Sequence, residues 1–115
     1  MSVSDDVASE SRPAKLVRDK IPQMVRASGE EPITSIADDI EYRQLLRLKL
    51  VEEVEEFVVS DDVEELADVL EVVRALVAVL GTEFDQLEQI RDHKASKRGG
   101  FSQRIVWHGN RPKLT

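Results

Sequence analysis

The stretch VEELADVLEVVRALVAVL, residues 63 to 80, decides the fold of this chain. Its apolar residues recur with helical spacing, but charged residues interrupt them at every third position: Glu65, Asp68, Glu71 and Arg74. An unpaired carboxylate is costly to bury, so acids in such a helix require a base, a water-filled cleft or a bound cation beside them. We therefore predict a largely buried helix whose acids have a specific partner.

Length and composition limit the class of protein. A chain of 115 residues predicts one small domain, and the absence of cysteine excludes disulfides and thiolate metal sites. Five aromatic residues are too few for a platform that stacks single-stranded nucleic acid. The chain has no run of 18 apolar residues and begins with a polar, acidic segment. We expect neither a membrane span nor a secretory signal, and hence a cytoplasmic protein.

The formal net charge of -7 conceals a segregation of charge. Acids dominate residues 38–71, whereas bases dominate residues 12–26 and 91–104. This distribution suits a metal cluster flanked by phosphate-binding groups, although a solvated acidic helix face would look the same. No predicted helix presents a basic face for groove docking, so no specific binding of nucleic acid is expected.

The pattern along the chain predicts an all-α antiparallel helical bundle with a minor pair of short strands. We expect a disordered tail at 1–14, a helical domain at 15–107 and a C-terminal tail at 108–115. Long helices are predicted at about 39–59, 62–80 and 82–98, after a short one near Pro22 with Asp19 as its cap. Thr82 and Asp85 resemble a capping box for the third long helix. The β-branched pieces 33–36 and 104–107 predict the strands.

Two pairs of acids lie one helical turn apart, Glu53 with Glu56 and Glu65 with Asp68. If the two helices form a hairpin that turns between residues 60 and 61, Glu56 lies level with Glu65 and Glu53 with Asp68. Four inward carboxylates could then share one or two cations, and hard oxygen ligands favour Mg²⁺, with Mn²⁺ as the alternative. Acids at this spacing also occur on many surface helices that bind no metal.

These acids lie in two motifs, EEVEE at 52–56 and EELAD at 64–68. Together they resemble the E-x-x-E and E-x-x-D signature of the all-α nucleoside triphosphate pyrophosphohydrolases, the MazG-like group, which includes phosphoribosyl-ATP pyrophosphatases. KLVRDKIP and KRGGF are similar to the ends of one uncharacterised branch of that group. The resemblance implies that Mg²⁺ is held by four acids, Glu53, Glu56, Glu65 and Asp68, and that Glu52 supports them or orients water. Only eight residues separate Glu56 from Glu65, fewer than in most MazG-like proteins, whose loop between these helices is longer.

The resemblance implies a Mg²⁺-dependent enzyme that hydrolyses a nucleoside triphosphate or related nucleotide to the monophosphate and pyrophosphate. A phosphoribosyl-ATP pyrophosphatase and a non-catalytic helical regulatory module are the alternatives. We predict that bases on both sides of the acidic region contact the phosphates: Lys15, Arg18, Lys20, Lys94, Lys97 and Arg98. The last three would equally well serve the dipole of a helix C-terminus.

The predicted second long helix is apolar nearly all round between residues 66 and 80. A helix of this kind is expected to be buried nearly all round, so a second copy of the chain should complete a four-helix core about a two-fold axis. The MazG-like resemblance likewise implies homodimers or dimers of dimers. The alternative is a monomer in which the first helix and the strand pair cover the open side.

Overall fold

The computed structural model describes residues 14–114, and all its regular secondary structure is helical. Four helices follow one another within this range: α1 (Ile21–Ala27), α2 (Asp39–Ser60), α3 (Val63–Val79) and α4 (Phe84–Arg98). The predicted all-α class and the three long helices are confirmed. The predicted disordered tail at 1–14 lies, apart from Ala14, outside the described residues.

The predicted strand pair is wrong, because residues 33–36 and 104–107 are irregular and residues 14–114 contain no strand. Ile33, Ile36 and Ile105 are 82%, 97% and 81% exposed, so neither piece packs against a neighbour. Arg104 has a φ of 63°, in the left-handed region, which interrupts an extended backbone. β-branched residues favour a strand only when it has a pairing partner, so their presence alone does not predict a strand here.

Aspartates at the helix ends determine the α2–α3 hairpin. The Asp38 side chain accepts a hydrogen bond from the Glu41 amide at 2.8 Å and so caps α2. Asp61, with φ 56°, ends that helix in the left-handed region, and the Asp62 side chain accepts from the Glu64 amide at 3.0 Å to begin α3. A two-residue connection leaves room only for an antiparallel neighbour, so α2 and α3 pack along each other.

The caps of α1 and α4 differ from the predicted ones. Lys20 is the N-cap of α1 and its side chain makes no capping hydrogen bond, so Asp19 does not cap this helix. Glu83 precedes α4, and its amide donates to the Gln86 side chain at 3.0 Å in place of the predicted box of Thr82 and Asp85. Both helices nevertheless begin within two residues of the expected positions.

The core inside one chain is small. Only Leu46, Val72 and Val77 are buried apolar residues within the described range, and Glu53 is the buried charged one. Among the helices, α4 contacts α3 alone, where the Arg74 guanidinium lies 4.4 Å from the centroid of the Phe84 ring. No other helix of the described chain packs against α1. The α2–α3 hairpin is therefore the one extensively packed unit, and the acids lie on it.

The outer faces of the hairpin keep apolar side chains in solvent. These follow helical spacing, with Val51, Val54 and Val58 on α2 and Leu66 and Leu70 on α3. The radius of gyration is 20.6 Å, whereas a compact domain of about 100 residues has about 13 Å. Within residues 14–114, no helix combines the length and the apolar character that crossing a membrane requires.

Candidate metal centre

Three carboxylates converge where α2 faces the first two turns of α3. Each of Glu53, Glu65 and Asp68 offers an oxygen, and these oxygens all lie within 4.8 Å of one another. The first belongs to α2 and the other two to α3, one turn apart. We refer to Glu53, Glu65 and Asp68 as the acid cluster. The hairpin thus places Glu53 beside Asp68, as the predicted register requires.

Glu53 is the most buried acid, with 7% of its surface exposed. Its Oε1 lies 3.3 Å from the Lys49 Nζ, whereas its Oε2 is buried without a hydrogen-bond partner in the described structure. Burial, and then the neighbouring Glu56 carboxylate, raises the pKa of Glu53 although Lys49 opposes the rise. A buried carboxylate oxygen without a donor is unfavourable unless a cation or a proton satisfies it.

The two acids of α3 have different environments. Burial, followed by the charges of Asp68 and Glu53, raises the pKa of Glu65 above its ordinary value. Asp68 is half-buried, and its Oδ1 accepts a hydrogen bond from the Arg18 Nη2 at 2.7 Å. Like charges therefore meet at Glu65, while a base reaches the outer edge of the cluster at Asp68.

The fourth predicted metal ligand, Glu56, is not part of the acid cluster. It is exposed, and it influences the site through Glu53, whose pKa it raises. A single helical turn separates the two acids, and Glu56 lines an open pocket with Glu65, but its oxygens are not among those that converge within 4.8 Å. Glu56 accordingly lies at the solvent edge of the site.

Glu52, the predicted catalytic residue, sits between two lysines. Its Oε2 lies 3.2 Å from the Lys49 Nζ and its Oε1 lies 3.3 Å from the Lys15 Nζ. Partial burial opposes ionisation, but Lys49 and then Lys15 outweigh it and hold the pKa of Glu52 below its ordinary value. A carboxylate with a lowered pKa accepts a proton poorly near neutral pH, so this site suits orientation better than general base catalysis.

Lys49 is a site residue that the sequence analysis did not identify. Its side chain is 18% exposed and bridges Glu52 and Glu53. The signal was present, since Lys49 precedes these acids by three and four residues, the spacing at which helical side chains meet. It supplies positive charge to the buried end of the site.

The predicted phosphate-binding bases separate into two groups. Lys15 and Arg18 contact acids of the hairpin, while Lys20 forms no ion pair with the acid cluster in the described structure. The other three line an exposed groove along α4 that includes none of the clustered acids: Lys94, Lys97 and Arg98. The last two lie in the final turn of α4, where they complement the helix dipole. Within one chain, these three therefore do not join the candidate site.

The donor set fits a hard divalent cation. The acid cluster offers carboxylate oxygens from two helices, and the buried Oε2 of Glu53 has no hydrogen-bond partner among the described residues. Oxygen-only ligation favours Mg²⁺ or Mn²⁺ over the softer transition metals. Glu53, Glu65 and Asp68 would hold the ion.

Comparison with known proteins finds a partial match. The chain is similar to an uncharacterized protein of Mycolicibacterium smegmatis, with 48% identity over 48 residues. These residues are 42% of this chain and 49% of the relative, so the chain spans about half the length of the relative that it matches. No family model and no solved structure matches the chain. The acid cluster and the two sequence motifs are therefore the features of this chain that bear on its function.

Proposed function

We propose that this chain is a Mg²⁺-dependent nucleotide pyrophosphohydrolase of the MazG-like group, with Mn²⁺ as the alternative ion. Its substrate is a nucleoside triphosphate or a related nucleotide. Water adds across the anhydride between the α and β phosphates, and a nucleoside monophosphate and pyrophosphate are the products. The observation that carries the proposal is the Glu53 carboxylate, buried with one oxygen unpartnered and within 4.8 Å of the carboxylates of Glu65 and Asp68. The motifs EEVEE and EELAD support it.

The residues around the acid cluster have different roles that follow from their charges. Glu53, Glu65 and Asp68 would hold a divalent ion, which would supply the neutralisation of phosphate charge and the activation of water that this reaction needs. Lys15 and Arg18 are close enough to the cluster to meet the phosphates of a nucleotide held there, and guanidinium groups bind phosphate in a bidentate manner. Glu52 orients water rather than accepting its proton, because its lysine neighbours lower its pKa.

A pyrophosphate-release screen tests the activity. The full chain is incubated with Mg²⁺ and with standard, damaged and phosphoribosylated nucleotides, and we expect turnover of at least one of them. Asp68→Asn should abolish that turnover without unfolding the protein. Glu71→Gln is the matched control, since it neutralises an exposed acid of the same helix one turn away and should keep full activity.

The outcomes distinguish the alternatives. Turnover restricted to the phosphoribosylated nucleotide would assign a phosphoribosyl-ATP pyrophosphatase. Mg²⁺ binding with no turnover of any nucleotide would favour a non-catalytic module. Full activity of Asp68→Asn would refute the role of the cluster.

We further propose that the chain forms a homodimer, or a dimer of dimers, through the outer faces of the hairpin. Leu66 and Leu70 on α3 remain 46% and 49% exposed, and Val51, Val54 and Val58 form a second open stripe on α2. Two copies packed through these stripes would bury them in a four-helix core. The small buried core of the single chain supports the same conclusion, because a stable monomer of this size buries more of its surface.

Sedimentation equilibrium at low micromolar concentration tests the assembly. We expect a species of twice the 13.0 kDa chain mass or more, and a melting temperature that rises with protein concentration. Leu70→Glu should dissociate it, whereas Ile36→Glu, the same type of change in the irregular segment before α2, should not. A fully active 13.0 kDa species would overturn the proposal.

A further inference from the structure

The segment before α1 crosses the α2–α3 hairpin at the acid cluster. Residues 14–20, which we call the strap, carry two bases that reach different helices. Lys15 contacts Glu52 of α2 at 3.3 Å, and Arg18 contacts Asp68 of α3 at 2.7 Å. Residues 14–18 have no regular secondary structure, and α1 packs against no helix in the described range. Within that range, these two ion pairs are the strap's polar anchors on the hairpin.

The strap bases offset part of the negative charge of the site. Five acids lie in or beside the cluster: Glu52, Glu53, Glu56, Glu65 and Asp68. Three bases contact them: Lys15, Arg18 and Lys49. When Lys15 and Arg18 leave, only Lys49 remains and the excess of negative charge rises from two to four, so release of the strap bases strengthens the attraction of the site for a divalent ion. A divalent ion at Asp68 would lie near the Arg18 guanidinium on the same carboxylate, and the two cations repel each other.

The three bases differ in how easily they can move. Lys49 belongs to α2 and is 18% exposed, so its helix holds it beside Glu52 and Glu53. Lys15 and Arg18 have side chains that are 61% and 57% exposed and extend from an irregular backbone. An exposed ion pair of this kind contributes little to stability, so it offers little resistance to displacement.

We propose that Arg18, assisted by Lys15, is a resident counter-cation that a divalent ion must displace, so that the strap opens when the ion binds. The inference rests on the cation site of the proposed function and adds a regulatory contact to it. In the closed state the strap neutralises Asp68 and Glu52. In the open state the same two bases are released from these acids and are free to meet an anionic ligand.

Removal of Arg18 distinguishes a base that competes with the ion from a base that orients a ligand. A base that merely oriented Asp68 as a ligand would weaken metal binding when removed. A competing base has the opposite effect, so Arg18→Gln should tighten the binding of Mn²⁺ by about two- to fivefold, the equivalent of one exposed ion pair. Arg26→Gln is the matched control, because Arg26 pairs with Glu31, 3.6 Å away, outside the cluster, and its loss should leave Mn²⁺ affinity unchanged.

The experiment combines calorimetric titration of the full chain with Mn²⁺ and limited trypsin digestion. We expect Mn²⁺ to accelerate cleavage of the Lys15–Leu16 bond in the wild type, with the cleaved bond identified by mass spectrometry. Circular dichroism of Arg18→Gln ensures that the affinity refers to a folded protein.

The results that overturn this proposal differ from those that overturn the function. If the wild type binds Mn²⁺ through Glu53 but Arg18→Gln binds it no more tightly, the strap is not a competitor and the cation site stands. Slower or unchanged cleavage with Mn²⁺ would also overturn strap opening. If the wild type binds no Mn²⁺ at all, both the cation site and the strap proposal fail.

Discussion

Replacing Glu53 with glutamine should make the metal-free protein more stable and at the same time destroy its response to Mg²⁺. The substitution keeps the side-chain volume and removes one negative charge from the most buried position of the acid cluster. Lys49 keeps Glu52 as an ion-pair partner at 3.2 Å, so the change leaves Lys49 paired. Stability and function are thus predicted to move in opposite directions at one residue.

The direction of the change in stability follows from the raised pKa of Glu53, which burial and then the Glu56 carboxylate produce. A carboxyl whose pKa is higher in the folded state contributes stability below its unfolded pKa, and this contribution is lost as pH rises through the folded value. At pH 7.5 the wild type therefore carries the cost of an ionised, buried carboxylate. Removing that cost should raise the free energy of unfolding by about 1 kcal/mol, or the melting temperature by about 4–8 °C for a domain of this size.

With Mg²⁺ bound, the wild type should become more stable than Glu53→Gln. At ten times its dissociation constant, an ion bound only by the folded state stabilises the wild type by about 1.4 kcal/mol, whereas Glu53→Gln should gain almost nothing. Thermal unfolding with and without Mg²⁺ at fixed protein concentration measures both effects. Glu71→Gln controls for the loss of one acid from the hairpin. A less stable metal-free Glu53→Gln, or one that retains the Mg²⁺ response, would refute the reasoning.

Three further predictions concern the surroundings of the cluster. Lys49→Met should lower the free energy of unfolding by about 1–3 kcal/mol, because Glu53 loses its counter-charge; urea denaturation measures this, with the exposed Arg47→Met as control. Mg²⁺ affinity should fall as pH drops through the raised pKa values of Glu53 and Glu65, because protons then compete with the ion for these carboxylates. Calorimetric titration between pH 5 and pH 7.5 measures this change, and an affinity independent of pH would contradict the prediction. Arg74→Ala should lower stability by about 0.5–1 kcal/mol through loss of the contact with the Phe84 ring, with Mg²⁺ affinity unchanged in the same titration.

The helices and their order could be predicted because their signals are local. Apolar spacing of three and four residues, Asp38 and Asp62 as caps, and Gly81 after α3 with φ 77° are features of adjacent residues. The short connection after Ser60 also predicted that α2 and α3 would be antiparallel. The prediction that Glu53 lies level with Asp68 followed from counting residues outward from that turn.

The strand pair could not be predicted correctly because a strand needs a neighbour. Residues 33–36 and 104–107 have the composition of strands, but the chain brings no partner to either, and both remain exposed. The same limit applies to the bases of α4. Their distance from the acid cluster depends on how α4 leaves α3, which no local pattern encodes.

The sequence by itself determined which acids could meet, because helical periodicity and a two-residue connection restrict Glu53, Glu65 and Asp68 to neighbouring turns of two helices. Tertiary structure alone decided their environments. Packing against α3 buries Glu53 and leaves Glu56 in solvent, and the strap brings Arg18 to Asp68 across 50 residues of sequence. Burial and charge proximity act through space, so the pKa of a carboxylate depends on neighbours that local sequence does not specify.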